Sequence, residues 1–338
     1  MEDGSVDRAS QLINGFRATQ CVRAAAELRI PDLVSGGPRS AADLAAATGV
    51  LEDPLRRVLR ALVSLGVFEE TEDGRFGPTA VSEQFTDRPG TMRAWAVMLP
   101  LESYAAFGEI MYSLESGKPA YEKLFGETRF ESLGKDSEAS ALFNMAMQRW
   151  TEKVAVDMVQ ECDFSKIESV IDVGGGTGTL VAAILRANPH LRGAVFDLPA
   201  GVEGTYAYLQ AEGVNDRCEI VVGSFFESVP PGYDLYLMKS IIHDWSDDRA
   251  KAILATCRAA MSDRAKLVLV ERLLPDRARD TYLDRRVLLG DLQMMVVLGG
   301  RERNVEEFSA LFESSGLKLS RVMPIGPEMH VIEAVPSD

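Results

Sequence analysis

The feature that most limits how this chain can fold is a glycine loop set between a strand and a helix. Ser169-Val-Ile-Asp-Val173 has the apolar run of a buried strand, opens directly into Gly174-Gly-Gly-Thr-Gly178, and is followed by the helix-forming stretch Leu180–Ala187. Glycines let the backbone turn sharply and approach a ligand with no Cβ in the way. A strand before and a helix after give such a loop the setting of a nucleotide-type cofactor site. The pattern then repeats. Ala194–Leu198, Glu219–Val222, Leu235–Ile241 and Lys266–Val270 read as further buried strands, and Asp247–Met261 and Val305–Ser315 as helices. Alternation of this kind builds a parallel sheet covered by helices on both faces. At the end, Leu317–Pro324 and His330–Ala334 are extended runs whose short link, residues 325–329, can join only antiparallel neighbours. The expected class is therefore α/β, a mostly parallel Rossmann-like sheet with an antiparallel last strand, which a dinucleotide-binding dehydrogenase lacks.

The loop narrows the cofactor. A dinucleotide fingerprint needs glycines at 174, 176 and 179, and position 179 is Thr; a phosphate loop needs a Lys-Ser/Thr pair, which Thr179-Leu180 does not supply. What remains is Gly-x-Gly-x-Gly, suited to a cofactor that brings no phosphate to the turn. An adenosine-containing ligand then wants an acid at the end of the next strand for its ribose hydroxyls. Asp197 stands there, in Val195-Phe-Asp-Leu-Pro199; a loop-capping carboxylate is the plainer alternative.

Residues 1–100 have a different texture. Leu55, Val58, Leu59, Leu62 and Leu65 recur at helical spacing, and Ser40-Ala-Ala-Asp43 can cap a short helix ending near Gly49. Gly66-Val-Phe68 and Gly74-Arg-Phe76 bracket two extended runs, with Asp73-Gly74 as a hairpin turn. Helix, turn, helix, hairpin is the outline of a winged helix. DNA binding would need a basic face, yet residues 39–88 hold six Arg and no Lys against nine Asp or Glu. Dimerisation is the better reading, with Ala9–Leu28 as a helix whose Leu12, Ile13, Phe16, Val22 and Leu28 suit packing on a second subunit. Residues 101–160 read as a helical connector, rich in Met and aromatics, that contributes to a substrate pocket; residues 161–338 form the cofactor-binding domain.

Bulk properties exclude several partners. The net charge of −15 argues against nucleic acid. The acidic opening Met1-Glu2-Asp3-Gly4 does not read as a signal peptide, and no apolar stretch is long enough for a bilayer. Cys21, Cys162, Cys218 and Cys257 lack paired or metal-ligand spacing. No metal, no membrane and a cytoplasmic location are expected.

Asp172-Val-Gly-Gly-Gly-Thr-Gly178, Asp197-Leu-Pro199, Gly223-Ser-Phe-Phe226, His243-Asp-Trp245 and Gly299-Gly-Arg-Glu-Arg303 are joined by Pro78-Thr79 and Ser116-Gly-Lys-Pro119. With these motifs the chain resembles, over nearly its whole length, the plant-type small-molecule O-methyltransferases, whose bacterial relatives act in antibiotic and pigment biosynthesis. The resemblance implies a class I methyltransferase sheet, a homodimer with swapped N-terminal helices, and S-adenosyl-L-methionine as cofactor, leaving as S-adenosyl-L-homocysteine. By position it implies that Gly174 and Gly176 approach the methionine part, that Asp197 holds the ribose and that Leu198 lies against adenine. It further implies that Gly223, Ser224 and Phe225 complete the adenine site and that Lys239 meets the methionine end. The family often has Asp where Ser224 stands, which weakens the contact to the adenine amine. Phe143, Met147, Leu289, Leu292 and Gln293 fall at substrate-pocket positions, a mostly apolar wall with one amide that suits a flat ring.

Methyl transfer to a phenol benefits from a base, because the hydroxyl, with a pKa of ~10, is a poor nucleophile at neutral pH. Of three histidines, His190 follows Asn188-Pro189 in a turn and His330 begins the last strand. His243 follows the apolar run Leu235–Ile242 at the carboxyl edge of the sheet, where ligands bind and where Asp197 and Glu271 also stand. It is the expected general base. Glu271 would fix its tautomer and stabilise the imidazolium, and the resemblance gives Glu302 the same role from the opposite side. Asp244 is expected to point elsewhere, as a cap for the following helix. The expected activity is O-methylation of a small aromatic hydroxyl. Two alternatives stand beside it. One is the same fold performing hydroxylation, decarboxylation or cyclisation, against which the retained His243, Glu271 and Glu302 argue. The other is a cofactor-sensing transcription regulator, against which the acidic winged helix argues.

Overall fold

The computed structural model describes residues 4–88 and 90–337, apart from the side chain of Glu102; the acidic opening of the chain, Met1–Asp3, lies outside the described residues. Contacts group the chain into two units that divide between Tyr104 and Ala105. In the first, helices Gly4–Glu27, Ile30–Val34, Ala41–Thr48 and Glu52–Ser64 precede a hairpin of β1 (Phe68–Glu70) and β2 (Phe76–Pro78). The hydroxyl of Ser40 accepts the N–H of Asp43, and Gly49 ends that helix in the left-handed region. Leu55, Leu59 and Leu62 close a core with Ile30, Leu44, Phe68 and Phe76. Leu65 falls just past its helix, where the chain turns at Gly66, and is half exposed. Helix Gly4–Glu27 buries only Ala25 and Ala26 and leaves Leu12, Ile13 and Phe16 exposed.

The second unit holds β3 (Ser169–Val173), β4 (Arg192–Asp197), β5 (Cys218–Val222), β6 (Leu235–Lys239), β7 (Lys266–Glu271), β8 (Leu317–Ile325) and β9 (Met329–Pro336). They form one sheet in the order β5-β4-β3-β6-β7-β9-β8. The first five run parallel, and β9 is antiparallel to both β7 and β8. Alternate side chains face opposite layers. Val170, Val195, Leu237 and Val268 pack with helices Ser137–Glu161 and Thr179–Ala187. Ile171, Tyr236, Met238 and Leu267 pack with Asp247–Ala260 and Val305–Glu313.

Because β3 has β4 on one side and β6 on the other, the winding reverses there and opens a crevice beyond the carboxyl ends of the strands. Gly174 follows β3, Asp197 ends β4, Gly223 follows β5, Lys239 ends β6 and Glu271 ends β7. Strand β6 stops before the apolar run does, since Ser240 takes a left-handed φ of 54° and Ile242–Asp244 forms a single 3₁₀ turn. Helix Tyr282–Gln293 continues as a π-helical turn, Met294–Leu298.

Leu237 is fully buried at the centre of the sheet, whereas Leu198 is 47 % exposed. Leu237→Ala is expected to cost ~2–5 kcal/mol in urea unfolding and Leu198→Ala no more than ~0.5 kcal/mol. Equal losses would contradict this layering.

Candidate active site

The glycine turn is shaped by what its neighbours forbid. A Cβ on Gly174 would stand 2.4 Å from Ile241 Cδ1, and one on Gly175 would stand 2.8 Å from the Asp172 carboxyl carbon. Gly176, at φ 55°, meets nothing within 4 Å. The first two glycines thus let the loop close onto its own strand ends, and Gly176 turns toward open space that a ligand can enter.

Asp197 accepts the N–H of Gly176 on Oδ2 (2.8 Å) and that of Leu198 on Oδ1 (2.7 Å). It therefore does cap the loop, while each oxygen keeps a lone pair for a further donor. Burial raises its pKa against the pull of those two N–H groups. Gly223 passes the Phe196 ring so closely that a Cβ would lie 2.6 Å from it. Beside it, Ser224 Oγ accepts the N–H of Phe226 (3.3 Å), and Phe225 packs edge-on to Phe226 and Trp245. With exposed Leu198, these make an apolar wall bearing one hydroxyl. Lys239 Nζ donates to Ser240 Oγ (3.1 Å). Burial lowers its pKa to about 8, opposed by Glu271 and Asp172. Asp172, which sequence reasoning gave no role, is buried beneath the loop and is pushed up to about 7 by that burial, with Lys239 opposing. A glycine turn open at Gly176, a carboxylate with free lone pairs and an apolar wall together fit an adenosyl group.

His243 sits on the 3₁₀ turn with its side chain 12 % exposed. Nδ1 hydrogen-bonds Glu302 Oε1 at 3.1 Å and lies 3.5 Å from Glu271 Oε2. Both carboxylates therefore address the same ring nitrogen, and the expectation of Glu302 on the opposite side is corrected. The reason is that Arg303 bridges to Leu273 just past β7, which brings Glu302 in beside Glu271. Asp244 is a second correction. It does not point away: the tight turn brings its Oδ1 to 3.4 Å from His243 Nε2, and Ser246 rather than Asp244 is the N-cap residue of the next helix. Burial by itself would lower the imidazole pKa, but Glu271, Glu302 and Asp244 outweigh it and raise it to about 10. Burial raises Glu271 and lifts Asp244 to about 6.

The backbone of the turn is held from two sides. Glu271 Oε1 accepts the N–H groups of Ile241 (3.1 Å) and Ile242 (2.9 Å). The loop Gly299–Arg303 crosses so near that a Cβ on Gly300 would lie 2.1 Å from the His243 carbonyl oxygen. The N–H of Arg301 donates to that carbonyl (2.9 Å). Arg303, almost fully buried, donates to the carbonyls of Ile242 (3.1 Å) and Trp245 (2.8 Å) and pairs with Asp247. Pro119 packs against Gly299, which ties Ser116-Gly-Lys-Pro119 to the same loop.

The donor atoms of His243, Glu271 and Glu302 lie within 4.8 Å of one another, a spacing that a metal ion also uses. Here the Nδ1–Glu302 hydrogen bond and two facing cations, Lys239 and Arg272, already balance the carboxylates. His190 is exposed, and His330, paired in register with Glu271, has its pKa lowered by burial.

Phe143 and Met147 lie one helical turn apart on Ser137–Glu161, both partly buried. The Arg129 guanidinium covers the Phe143 ring at 4.5 Å. Phe130 is edge-on to Phe143 and stacks on Trp245, which leads to Phe225. An aromatic path thus joins the expected substrate wall to the cofactor wall. Leu292 and Gln293 are partly buried on helix Tyr282–Gln293, and Leu289 is 61 % exposed. Sequence patterns carry no signal for Arg129, which is buried, or for Arg272, which is partly buried.

The profile of the O-methyltransferase dimerisation domain matches residues 10–88, and that of the O-methyltransferase domain matches residues 107–318. The phenazine O-methyltransferase PhzM of Lysobacter antibioticus is 40 % identical, the match covering 96 % of this chain and 95 % of that one. The O-demethylpuromycin-O-methyltransferase of Streptomyces alboniger is 38 % identical over 98 % of this chain and 90 % of its own. The solved structure of NcsB1, an O-methyltransferase from neocarzinostatin biosynthesis in complex with S-adenosylmethionine and 2-hydroxy-5-methyl naphthoic acid, superposes with a TM-score of 0.85 at 32 % identity, over 94 % of this chain and 96 % of that one. A rim of strand ends that fits an adenosyl group, two matching profiles and relatives alike over nearly the whole length lead to one conclusion: the chain belongs to the O-methyltransferase family, which uses S-adenosyl-L-methionine.

Proposed function

We propose that this protein methylates a hydroxyl of a small aromatic secondary metabolite (phenolic, polyketide or quinone-like), with His243 as the base. One observation carries the reading: the His243 ring, tied to a buried carboxylate, stands on the same sheet edge as the glycine turn, Asp197 and Lys239. The phenazine enzyme and the naphthoic acid complex among its relatives favour a fused-ring acceptor here.

Displacement at a sulfonium is in-line, and holding the acceptor in that line contributes up to ~7–11 kcal/mol. S-adenosyl-L-methionine supplies the methyl group on a positively charged sulfur, and that charge also disfavours a proton on a nearby imidazole. With Nδ1–H donated to Glu302, His243 presents Nε2 to the hydroxyl and takes its proton there. Glu271 and Glu302 stabilise the imidazolium that forms, and Asp244 stands beside the nitrogen that receives the proton. A positioned base of this kind adds roughly 10²–10⁴-fold. Asp197 holds the ribose; Leu198, Gly223, Ser224 and Phe225 enclose the adenine; Gly174, Gly176 and Lys239 meet the methionine end. Phe143, Met147, Leu289, Leu292 and Gln293 line the acceptor, which gives the connector 101–160 its part in the substrate pocket; residues 1–100 are the dimerisation domain and residues 161–338 the cofactor domain.

The working unit in this reading is a homodimer. Exposed Leu12, Ile13 and Phe16 offer an apolar surface for a second copy to cover. Nucleic acid is not a partner in this reading, given the acidic charge. No described helix is long and apolar enough to cross a membrane. The four cysteines are free thiols, as suits the cytoplasm.

His243→Gln is expected to lower methyl transfer from radiolabelled S-adenosylmethionine to a phenol panel by at least about tenfold, with cofactor affinity nearly unchanged; near-normal turnover removes His243 from the base role. Asp197→Ala is expected to weaken S-adenosylhomocysteine binding by about tenfold, the loss of a charged hydrogen-bonding group; calorimetry showing unchanged affinity contradicts the ribose assignment.

A further inference from the structure

The geometry points to Arg272 as a positioning residue that supplies the countercharge for Glu302 and keeps it aimed at His243. The inference rests on the reading of His243 as the base. Arg272 directly follows Glu271, one residue past the end of β7. Its guanidinium lies 5.0 Å over the Trp150 ring, which also carries Arg286 at 5.2 Å. Glu328, 7 % exposed, holds both cations, at 3.5 Å from Arg272 Nη2 and 2.9 Å from Arg286 Nε. The anchor therefore draws on β7, the helix Ser137–Glu161, the helix Tyr282–Gln293 and the β8–β9 turn.

From this anchor Arg272 Nη1 reaches to 3.9 Å from Glu302 Oε1, the oxygen that hydrogen-bonds His243 Nδ1. That distance is too long for a hydrogen bond. The cation thus adds its charge without drawing the carboxylate away from the imidazole. Gly290 leaves room for this approach: a Cβ there would come within 3.3 Å of Arg272 Nη1 and 3.8 Å of Glu302 Oε1.

The need for the cation follows from the charges packed around one ring. Glu302 from its loop, Glu271 from β7 and Asp244 from the 3₁₀ turn all face His243, and Lys239 from β6 and Arg129 from the helix Arg129–Leu133 face this group as well. Three carboxylates so close repel one another and invite a proton onto one of them. A cation beside Glu302 offsets that repulsion and keeps the carboxylate aimed at His243. Lys239 acts on Glu271 and Asp244; Arg272 is the cation beside Glu302. Trp150 lies on the same helix as Phe143 and Met147, so the helix proposed to line the acceptor also holds this cation in place.

A double-mutant cycle on the full-length protein tests the inference, with methyl transfer from radiolabelled S-adenosylmethionine to the best acceptor of a phenol panel. R272Q is expected to lower kcat roughly tenfold, as for residues coupled in one charged network, and to add less than about twofold in an E302Q background. S-adenosylhomocysteine affinity should stay within about twofold of wild type, and R272K, which keeps the charge but gives up the stacking on Trp150, should recover part of the lost turnover. A silent R272Q, or losses that multiply in the double variant, overturns the role through Glu302. Should R272Q fail to bind S-adenosylhomocysteine, R272K carries the test, and a full loss of turnover there also overturns it. If E302Q turns over at the wild-type rate, the His243–Glu302 reading itself falls; if E302Q is slow and R272Q is not, only the Arg272 role falls.

Discussion

A carboxylate cut off from water governs the rim of this sheet. Glu271 is fully buried at the end of β7, and a buried charge must find donors or give up its ionisation. It finds two in the N–H groups of Ile241 and Ile242, which are available only because the chain leaves β6 at Lys239 and turns through Ser240. A serine in the left-handed region costs about 1–3 kcal/mol. Here the bond from Ser240 N to Val270 O and the two bonds to Glu271 determine the turn more than once. The same turn swings His243 over the carboxylate, so one buried acid fixes backbone, ring and charge together.

The opposite side of the ring's backbone is secured by a second segment far along the chain. Gly300 permits contact at the His243 peptide, and Arg303 spends its guanidinium on the carbonyls to either side of that residue. Glu302, between them, is delivered to Nδ1. A site held by strands and a clamped loop keeps the angular precision that in-line displacement requires. The glycine turn is built on the same plan, with Gly174 and Gly175 pressed onto Ile241 and Asp172. Ile241 thus joins the two halves: its N–H holds Glu271 and its side chain supports the loop.

How much of this was legible in sequence depended on whether the signal was local. The strands of the sheet announce themselves as short apolar runs, and the glycine turn as a run of residues that only a tight loop needs. Asp197 and Glu271 were found because each closes such a run. The end of β6 was not legible, since Ile241 and Ile242 continue the apolar pattern while hydrophobicity carries no record of the dihedral at Ser240. The orientation of Asp244 was hidden for the same reason. The side from which Glu302 arrives depends on a bridge between Leu273 and Arg303, a pairing that local patterns do not encode. Arg129 and Arg272 were overlooked because arginine defaults to the surface, and only the fold shows them covered by Phe143 and Trp150. The substrate positions came from resemblance alone, and exposed Leu289 shows how little periodicity says about a wall that a ligand completes.

The most direct test of the central claim is a crystal structure of the protein with S-adenosyl-L-homocysteine. The ribose hydroxyls are expected on Asp197, the sulfur beside Gly174 and Gly176, and the His243 ring facing that sulfur across a gap wide enough for an aromatic hydroxyl. A nucleoside bound elsewhere, or an imidazole turned from the sulfur with side chains filling the space between, would contradict it.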